Sequence, residues 1–101
     1  MQKPGAGALS EYRIFETKEF QRQLEKLSSP VRDSLREKLT DYTYPHLRQQ
    51  PYFGTNIRKL RGYTPDTWRY RIGRYRVFYT VDREERIVSV LMVEARKDAY
   101  K

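Results

Sequence analysis

Residues 67–81 have the sequence TWRYRIGRYRVFYTV, which predicts a β-hairpin. Apolar and aromatic residues alternate with arginines on both sides of Gly73-Arg74, and a two-residue loop that starts with glycine is typical of a type II′ turn. Counting outward from this turn gives two sets of facing pairs. On the predicted core face lie Ile72 with Tyr75, Tyr70 with Val77, and Trp68 with Tyr79. On the opposite face lie Arg71 with Arg76, Arg69 with Phe78, and Thr67 with Thr80.

The arginine-bearing face of this hairpin is unfavourable for folding. Like charges placed directly opposite each other destabilise a sheet by several tenths of a kcal/mol, roughly. Arg69, Arg71 and Arg76 instead present planar guanidinium groups, which suit bidentate contact with phosphate. Phe78 is expected to be an exposed ring beside them, on which a nucleobase could stack. The pattern favours an anion-binding surface over a solvated face whose charges pair with acidic groups elsewhere.

The net charge of the chain is +8, and it is concentrated around this hairpin. Residues 56–83 contain eight Lys/Arg and two Asp/Glu, a net charge of +6. Residues 1–55 contribute +2, and residues 84–101 are balanced. Such a concentration is typical of a polyanion-binding protein, although a generally basic, soluble surface is the alternative.

The rest of the chain predicts one α+β domain over residues 11–101, after a flexible tail at residues 1–10. An antiparallel meander should pack against an N-terminal two-helix hairpin, in the order β-α-α-β-β-β-(α). The predicted elements are a strand at Glu11–Glu16, a helix from the Thr17 cap to Leu27, a helix from Ser29 through Tyr42, a loop at 44–55, strands at Asn56–Leu60 and Arg86–Glu94, and a tail or helical turn at Lys97–Lys101. The strand at Arg86–Glu94 lacks clean alternation, so we expect it to be central and covered on both faces.

Composition excludes several classes of protein. There is no cysteine, so disulfides and thiolate metal sites are impossible, and a reducing cytoplasm is expected. No apolar run approaches the length of a membrane span. We therefore expect no membrane association and no small-molecule cofactor or metal.

The ordered motifs resemble those of the RelE/ParE toxin superfamily over residues 11–101. The motifs are Tyr12–Phe15, the two-helix hairpin, KLRG at 59–62, WRYRI at 68–72, YRVFY at 75–79 and ARKDAY at 95–100. The resemblance implies a RelE-like fold and a toxin of a type II toxin–antitoxin system. It further implies that the protein cuts messenger RNA in the ribosomal decoding site through the 2′-hydroxyl, and that a cognate antitoxin inhibits it.

The resemblance also implies which residues form the site. The catalytic set would be Arg71, Arg76, Arg96 and Tyr100, and the RNA-binding set would be Lys59, Arg61, Arg69, Arg74 and Phe78. Arg76 and Arg96 are suited to stabilise the charge of the phosphorane. No metal ligand is expected.

The base that removes the 2′-proton is not assigned by these motifs. Relatives often have lysines where this chain has Arg69 and Arg71, and an arginine does not lose its proton in proteins. Relatives often have a histidine at the position of Ala95, and the sole histidine, His46, lies in a predicted loop and is interpreted as incidental. Tyr100 is a candidate base. Glu94 is a weaker one, because its side chain could point elsewhere.

Two other functions are compatible with the sequence. A ParE-like toxin would poison DNA gyrase without cleaving nucleic acid, and the missing base favours it. A plain RNA-binding module is the third possibility, weakened by the absence of a glycine-rich loop or an aromatic RNA-binding run. The arginine cluster favours the nuclease.

Overall fold

The computed structural model describes residues 11–96 as five strands and three α-helices. The flexible tail predicted at residues 1–10 and the tail or turn predicted at Lys97–Lys101 lie outside the described residues. The elements are β1 (Arg13–Glu16), α1 (Lys18–Glu25), α2 (Ser29–Lys38), a π-helical segment (Leu39–Thr43), α3 (Tyr44–Gln49), β2 (Ile57–Lys59), β3 (Thr67–Ile72), β4 (Tyr75–Asp82) and β5 (Ile87–Ala95). Predicted strand bounds differ from these by one or two residues.

All five strands form one sheet in the order β1-β5-β4-β3-β2. Strands β2 to β5 form the predicted antiparallel meander. Strand β1 pairs with β5 in parallel, so the sheet is mixed. The predicted α+β class and the RelE-like fold are confirmed, whereas the predicted order β-α-α-β-β-β-(α) has one strand too few and lacks α3.

The β3–β4 hairpin has the pairing that the sequence predicts. All six pairs from Ile72 with Tyr75 to Thr67 with Thr80 are present. Gly73 has a φ of 58°, which a residue with a Cβ rarely adopts and which the first position of a type II′ turn requires. The core side of the hairpin is buried, with Tyr70, Val77 and Tyr79 no more than 6% exposed.

The first two helices cover this core face of the sheet. Thr17 caps α1 by accepting a hydrogen bond from the Phe20 amide at 3.1 Å. The side chains of Phe20 and Leu24 are buried, and Leu35 of α2 joins them in the same core. Pro30 lies in the first turn of α2, where its missing N–H leaves no hydrogen bond unmade.

The loop predicted from residue 44 is wrong at its start, because Tyr44–Gln49 is helical. Pro45 does not end the helical region, since its fixed φ fits the first turn of α3. The π-helical segment precedes it without a break. The driving force is burial: Tyr44 and Leu47 are both at most 6% exposed and lie in the core.

Strand β5 is second from the edge and is not covered on both faces as predicted. Val88, Val90 and Val93 are buried against the helices, whereas Met92 is 36% exposed on the other face. The irregular pattern has a different cause. Phe78 pairs with Met92 and Tyr79 with Val90, so Leu91 is an extra residue in a β-bulge.

A half-buried ion pair connects β1 to the helices. Glu16 accepts hydrogen bonds from Arg36 Nη1 and from the Tyr44 hydroxyl, both at 2.6 Å. Burial raises the pKa of Glu16, but the hydrogen bonds from Arg36 and Tyr44 outweigh it and hold the pKa below its ordinary value of 4.5. The carboxylate therefore stabilises the folded state at neutral pH.

We predict that Glu16→Gln lowers the free energy of unfolding at pH 7 by about 1–3 kcal/mol, because charge-assisted hydrogen bonds are lost. Since the folded state lowers the pKa, the stabilisation is complete above the unfolded value of 4.5 and is lost as the pH falls through the folded pKa. Urea denaturation between pH 7 and 3 should show that the free energy of unfolding falls less steeply with decreasing pH in the variant than in wild type. The control is Glu37→Gln on the exposed side of α2; equal acid loss in wild type and Glu16→Gln would contradict the prediction.

Candidate functional site

The sheet surface opposite the helices carries a cluster of arginines, here called the arginine face: Arg58, Arg69, Arg71 and Arg76. The strand register creates it. Arg58 of β2 lies opposite Arg69 of β3, and Arg71 of β3 lies opposite Arg76 of β4. Their neighbours in sequence, such as Tyr70 and Val77, are buried on the helix side. Three adjacent strands therefore direct guanidinium groups to one side.

The positive charges on this face are largely uncompensated within the described chain. No carboxylate of residues 11–96 lies within salt-bridge distance of Arg58, Arg69 or Arg71. Burial and then the neighbouring charges of Arg71 and Arg58 lower the pKa of Arg69, which still remains protonated. Repulsion of this kind is relieved when an anion binds between the guanidinium groups. The face is therefore suited to an anionic ligand.

Arg76 contacts both an aromatic ring and a carboxylate. Its guanidinium group lies 5.9 Å from the centre of the Phe78 ring, and its Nη2 is 3.2 Å from Glu94 Oε1. Its Nε is buried and has no hydrogen-bond partner. A buried donor without a partner is costly, but this atom is closed to a ligand; because the side chain as a whole is 32% exposed, a phosphate would meet its terminal nitrogens.

Phe78 is not the exposed stacking ring that the sequence predicts, because it is only 8% exposed. It forms the floor of a cavity of about 440 Å³ together with Leu60 and Met92. Tyr63, which is 52% exposed, lies at the rim of that cavity. A ring that stacks on a bound base is therefore better supplied by Tyr63, which sequence reasoning missed because it lies in an irregular loop.

The structure brings some of the other predicted residues to the arginine face and separates others. Arg96 lies at the turn end of the face, where its Nη1 donates to Gly73 O at 3.1 Å and its backbone N donates to Arg74 O. Arg74 is exposed in that turn, and Arg61 is exposed in the loop after β2. Tyr100 lies outside the described residues.

Lys59 is directed to the helix side of the sheet, away from the arginine face. It pairs with Trp68, a residue that stacks on Tyr79 of the core, and its Nζ is 3.2 Å from Asp66. It lines a separate cleft of about 640 Å³ with Tyr52 and Arg83. An RNA contact by Lys59 would need a ligand that extends around the β2 edge.

His46 also lies away from the arginine face and has a structural environment. Its Nδ1 is 3.2 Å from the Tyr70 hydroxyl, and its Nε2 is 2.8 Å from the Phe53 carbonyl. The ring thus connects α3, the sheet and the following loop.

The described residues contain no group of His, Cys, Asp or Glu side chains that could hold a metal ion. Among helices of residues 11–96, none has both the length and the apolar character needed to span a membrane.

Comparison with known proteins identifies the class to which this fold and site belong. The chain resembles RelE in the RelBE2 toxin–antitoxin complex of Mycobacterium tuberculosis, with 26% identity over 87% of this chain and 94% of that chain and a TM-score of 0.68. It resembles RelE in the intact Escherichia coli RelBE complex, with 28% identity over 85% and 98% and a TM-score of 0.62. Isolated E. coli RelE toxin gives 31% identity over 88% and 90%, with a TM-score of 0.55. No curated protein sequence gives a significant match.

The fold and these similarities thus define a toxin of a type II toxin–antitoxin system. The family model described as "ParE toxin of type II toxin-antitoxin system, parDE" matches residues 14–100. The chain belongs to this family, within the RelE/ParE toxin superfamily.

We predict that Arg69→Ala/Arg71→Ala weakens binding of a short single-stranded RNA and makes it less salt-dependent. Each lost phosphate contact should reduce the slope of log K against log salt by about 0.7. Removing like charges should leave the melting temperature unchanged or higher. Fluorescence anisotropy between 50 and 200 mM salt, roughly the range in which such contacts are resolved, measures the slope. Arg22→Ala on α1 is the matched control, and an equal loss there would contradict a localised site.

Proposed function

We propose that this toxin is a ribosome-dependent endoribonuclease that cleaves messenger RNA in the decoding site by attack of the 2′-hydroxyl. The observation that carries the proposal is the arginine face, on which Arg58, Arg69 and Arg71 have no carboxylate partner among residues 11–96. A folded surface that keeps such repulsion gains stability when a polyanion binds.

Each guanidinium group has a role that its position suits. Arg76, whose side chain is 32% exposed beside the cavity, would bind the scissile phosphate through its terminal nitrogens and stabilise the charge of the phosphorane. Arg96 would contribute a second guanidinium group from the turn end of the face. Arg71, which lies opposite Arg76, would bind the same phosphate or the neighbouring one. Arg69 would position the RNA backbone. Tyr100, outside the described residues, would stack on a base or take part in proton transfer.

The exposed cations around this site would provide the ribosome contacts. Arg61 and Arg74 lie in loops at the two ends of the hairpin, where ribosomal RNA could approach both at once. The cleavage itself would need no cofactor, because guanidinium groups supply the electrostatic stabilisation. The protein would act in the cytoplasm, where translating ribosomes are.

A cognate antitoxin is the proposed regulatory partner. The similar toxins from M. tuberculosis and E. coli have structures in complex with RelB antitoxins. By the same logic an antitoxin would neutralise this toxin, either through acidic residues that cover the arginine face or by occupying the groove between α2 and the hairpin turn. That groove has a volume of about 270 Å³ and is lined by Val31, Lys38 and Tyr75.

The second candidate function is gyrase poisoning, which the parDE description of the matching family model favours. Such a toxin would bind its target without cleaving RNA, and the arginine face would serve a different anionic surface. The two functions are distinguished by their products: the nuclease would produce a cut message, and the gyrase poison would produce cleaved or relaxed DNA.

We predict that Arg76→Ala lowers cleavage of ribosome-bound message by about 10²- to 10³-fold, the usual effect of removing one preorganised charge-stabilising donor. Primer extension on a defined message in stalled ribosomes measures it, with Arg22→Ala as the control that removes the same charge elsewhere. Tyr100→Phe in the same assay tests the proton-transfer role of the phenol. No cutting by a folded wild type, together with loss of gyrase supercoiling activity, would replace the nuclease proposal with the second candidate.

A further inference from the structure

The proposed cleavage needs a group that accepts the 2′-hydroxyl proton, and the arginine face does not supply one. Arginines keep their protons in proteins, so neither Arg71 nor Arg76 is a base at neutral pH. His46 is engaged by Tyr70 and Phe53 on the opposite side of the sheet. Among the side chains of residues 11–96, a carboxylate is the remaining kind of group that accepts a proton at neutral pH.

Glu94 is the carboxylate that the strand register brings to this site. It is the direct partner of Arg76 across the β4–β5 ladder, so both side chains leave the sheet on the arginine face. Glu94 Oε1 lies 3.2 Å from Arg76 Nη2, and the Glu94 side chain is 46% exposed. One carboxylate oxygen is therefore held by the phosphate-binding residue while the group stays accessible to a substrate.

Other described carboxylates near the sheet are committed elsewhere. Glu16 is on the helix side with Arg36 and Tyr44. Asp66 pairs with Lys59, and Asp82 accepts a hydrogen bond from the Glu85 amide at the far end of β4. In the cavity of about 440 Å³ beside Arg76, Glu94 is the sole acidic residue among the described lining residues.

The cavity gives Glu94 a place next to a nucleoside. Its floor is apolar, formed by Leu60, Phe78 and Met92, and Arg76 and Glu94 form its charged side. A nucleoside whose base enters this cavity would bring its 3′-phosphate to Arg76 and its ribose to Glu94. Displacing water from an apolar pocket strengthens the electrostatic contacts made there.

We propose that Glu94 is the catalytic base of this toxin, an inference that rests on the proposed nuclease function. The Glu94 carboxylate takes the proton from the 2′-hydroxyl, and the 2′-oxygen forms a bond to phosphorus. The bond from phosphorus to the 5′-oxygen breaks, and that oxygen takes a proton from solvent. The products are a 2′,3′-cyclic phosphate and a 5′-hydroxyl, and the Glu94 proton returns to solvent. Arg76 neutralises the phosphate oxygens throughout.

The decisive variant is Glu94→Gln, because a glutamine carbonyl can still accept the hydrogen bond from Arg76 but does not take a proton at neutral pH. We expect the single-turnover cleavage rate on ribosome-bound message to fall by about 10²- to 10⁴-fold, the range for general-base catalysis. Affinity for a message with a 2′-deoxy nucleotide at the cut site should change less than threefold. Glu84→Gln, in the exposed β4–β5 turn, is the matched control and should cleave like wild type.

Chemical rescue separates a base from a merely structural residue. Glu94→Ala should be inactive alone and regain cleavage with rising formate, a small carboxylate that can enter the vacated space. Glu94→Asp should retain part of the activity. The melting temperatures of all variants, compared with that of wild type, identify any loss of activity that results from misfolding. Formate rescue of Glu94→Ala then shows that the folded molecules lack only a carboxylate.

Three results would overturn the assignment of Glu94, and they differ in whether the proposed nuclease function is also lost. If Glu94→Gln cleaves within threefold of wild type while Arg76→Ala does not cleave, Glu94 is not the base and the nuclease function stands. If Glu94→Gln loses substrate affinity together with rate, and formate gives no rescue, Glu94 only positions Arg76. If folded wild type cuts no message, the nuclease function fails and this inference fails with it.

Discussion

The register of the β3–β4 hairpin is the constraint on which the rest of the structure depends. Side chains in a strand alternate between faces, so a slip of one residue would exchange the two faces completely. Arg69 and Arg71 would then enter the core, and Tyr70 would be exposed. Burying unpaired guanidinium groups is prohibitive, which makes the observed register the only stable one. The turn at Gly73, with its positive φ, fixes the same register locally.

The same register concentrates charge that folding alone does not favour. The helix side of the hairpin contributes Tyr70, Val77 and Tyr79 to a continuous core, and that burial stabilises the sheet despite repulsion on its other face. A pair of opposed arginines lowers the stability of the sheet by only tenths of a kcal/mol, roughly, while both side chains remain solvated. A burial gain on one face thus permits an arginine-rich surface on the other, and the two properties come from alternate residues of the same strands.

Local patterns were sufficient to predict the hairpin pairs, the Thr17 cap and the placement of Arg69, Arg71 and Arg76 on one face. They were not sufficient where contacts with distant parts of the chain determine the secondary structure, the burial of a side chain or the pairing of a strand. Helix α3 (residues 44–49) forms because its apolar side chains meet the core, although Pro45 and the short segment indicate a loop. Phe78 is buried by Leu60 and Met92, which come from other parts of the chain. Parallel pairing of β1 with β5 likewise leaves no local signature.

The bulge in β5 is the irregularity that completes the candidate site. If Leu91 were paired regularly instead of bulged out, counting from the pair of Asp82 and Ile87 would place Val93 opposite Arg76. Glu94 would then point to the helix side, into apolar surroundings. The bulge shifts the strand by one residue, so Val93 is buried and Glu94 meets Arg76. Bulges frequently re-aim side chains beside functional sites. The broken alternation of β5, which suggested a strand buried on both faces, is therefore the sequence signal for the bulge that pairs Glu94 with Arg76.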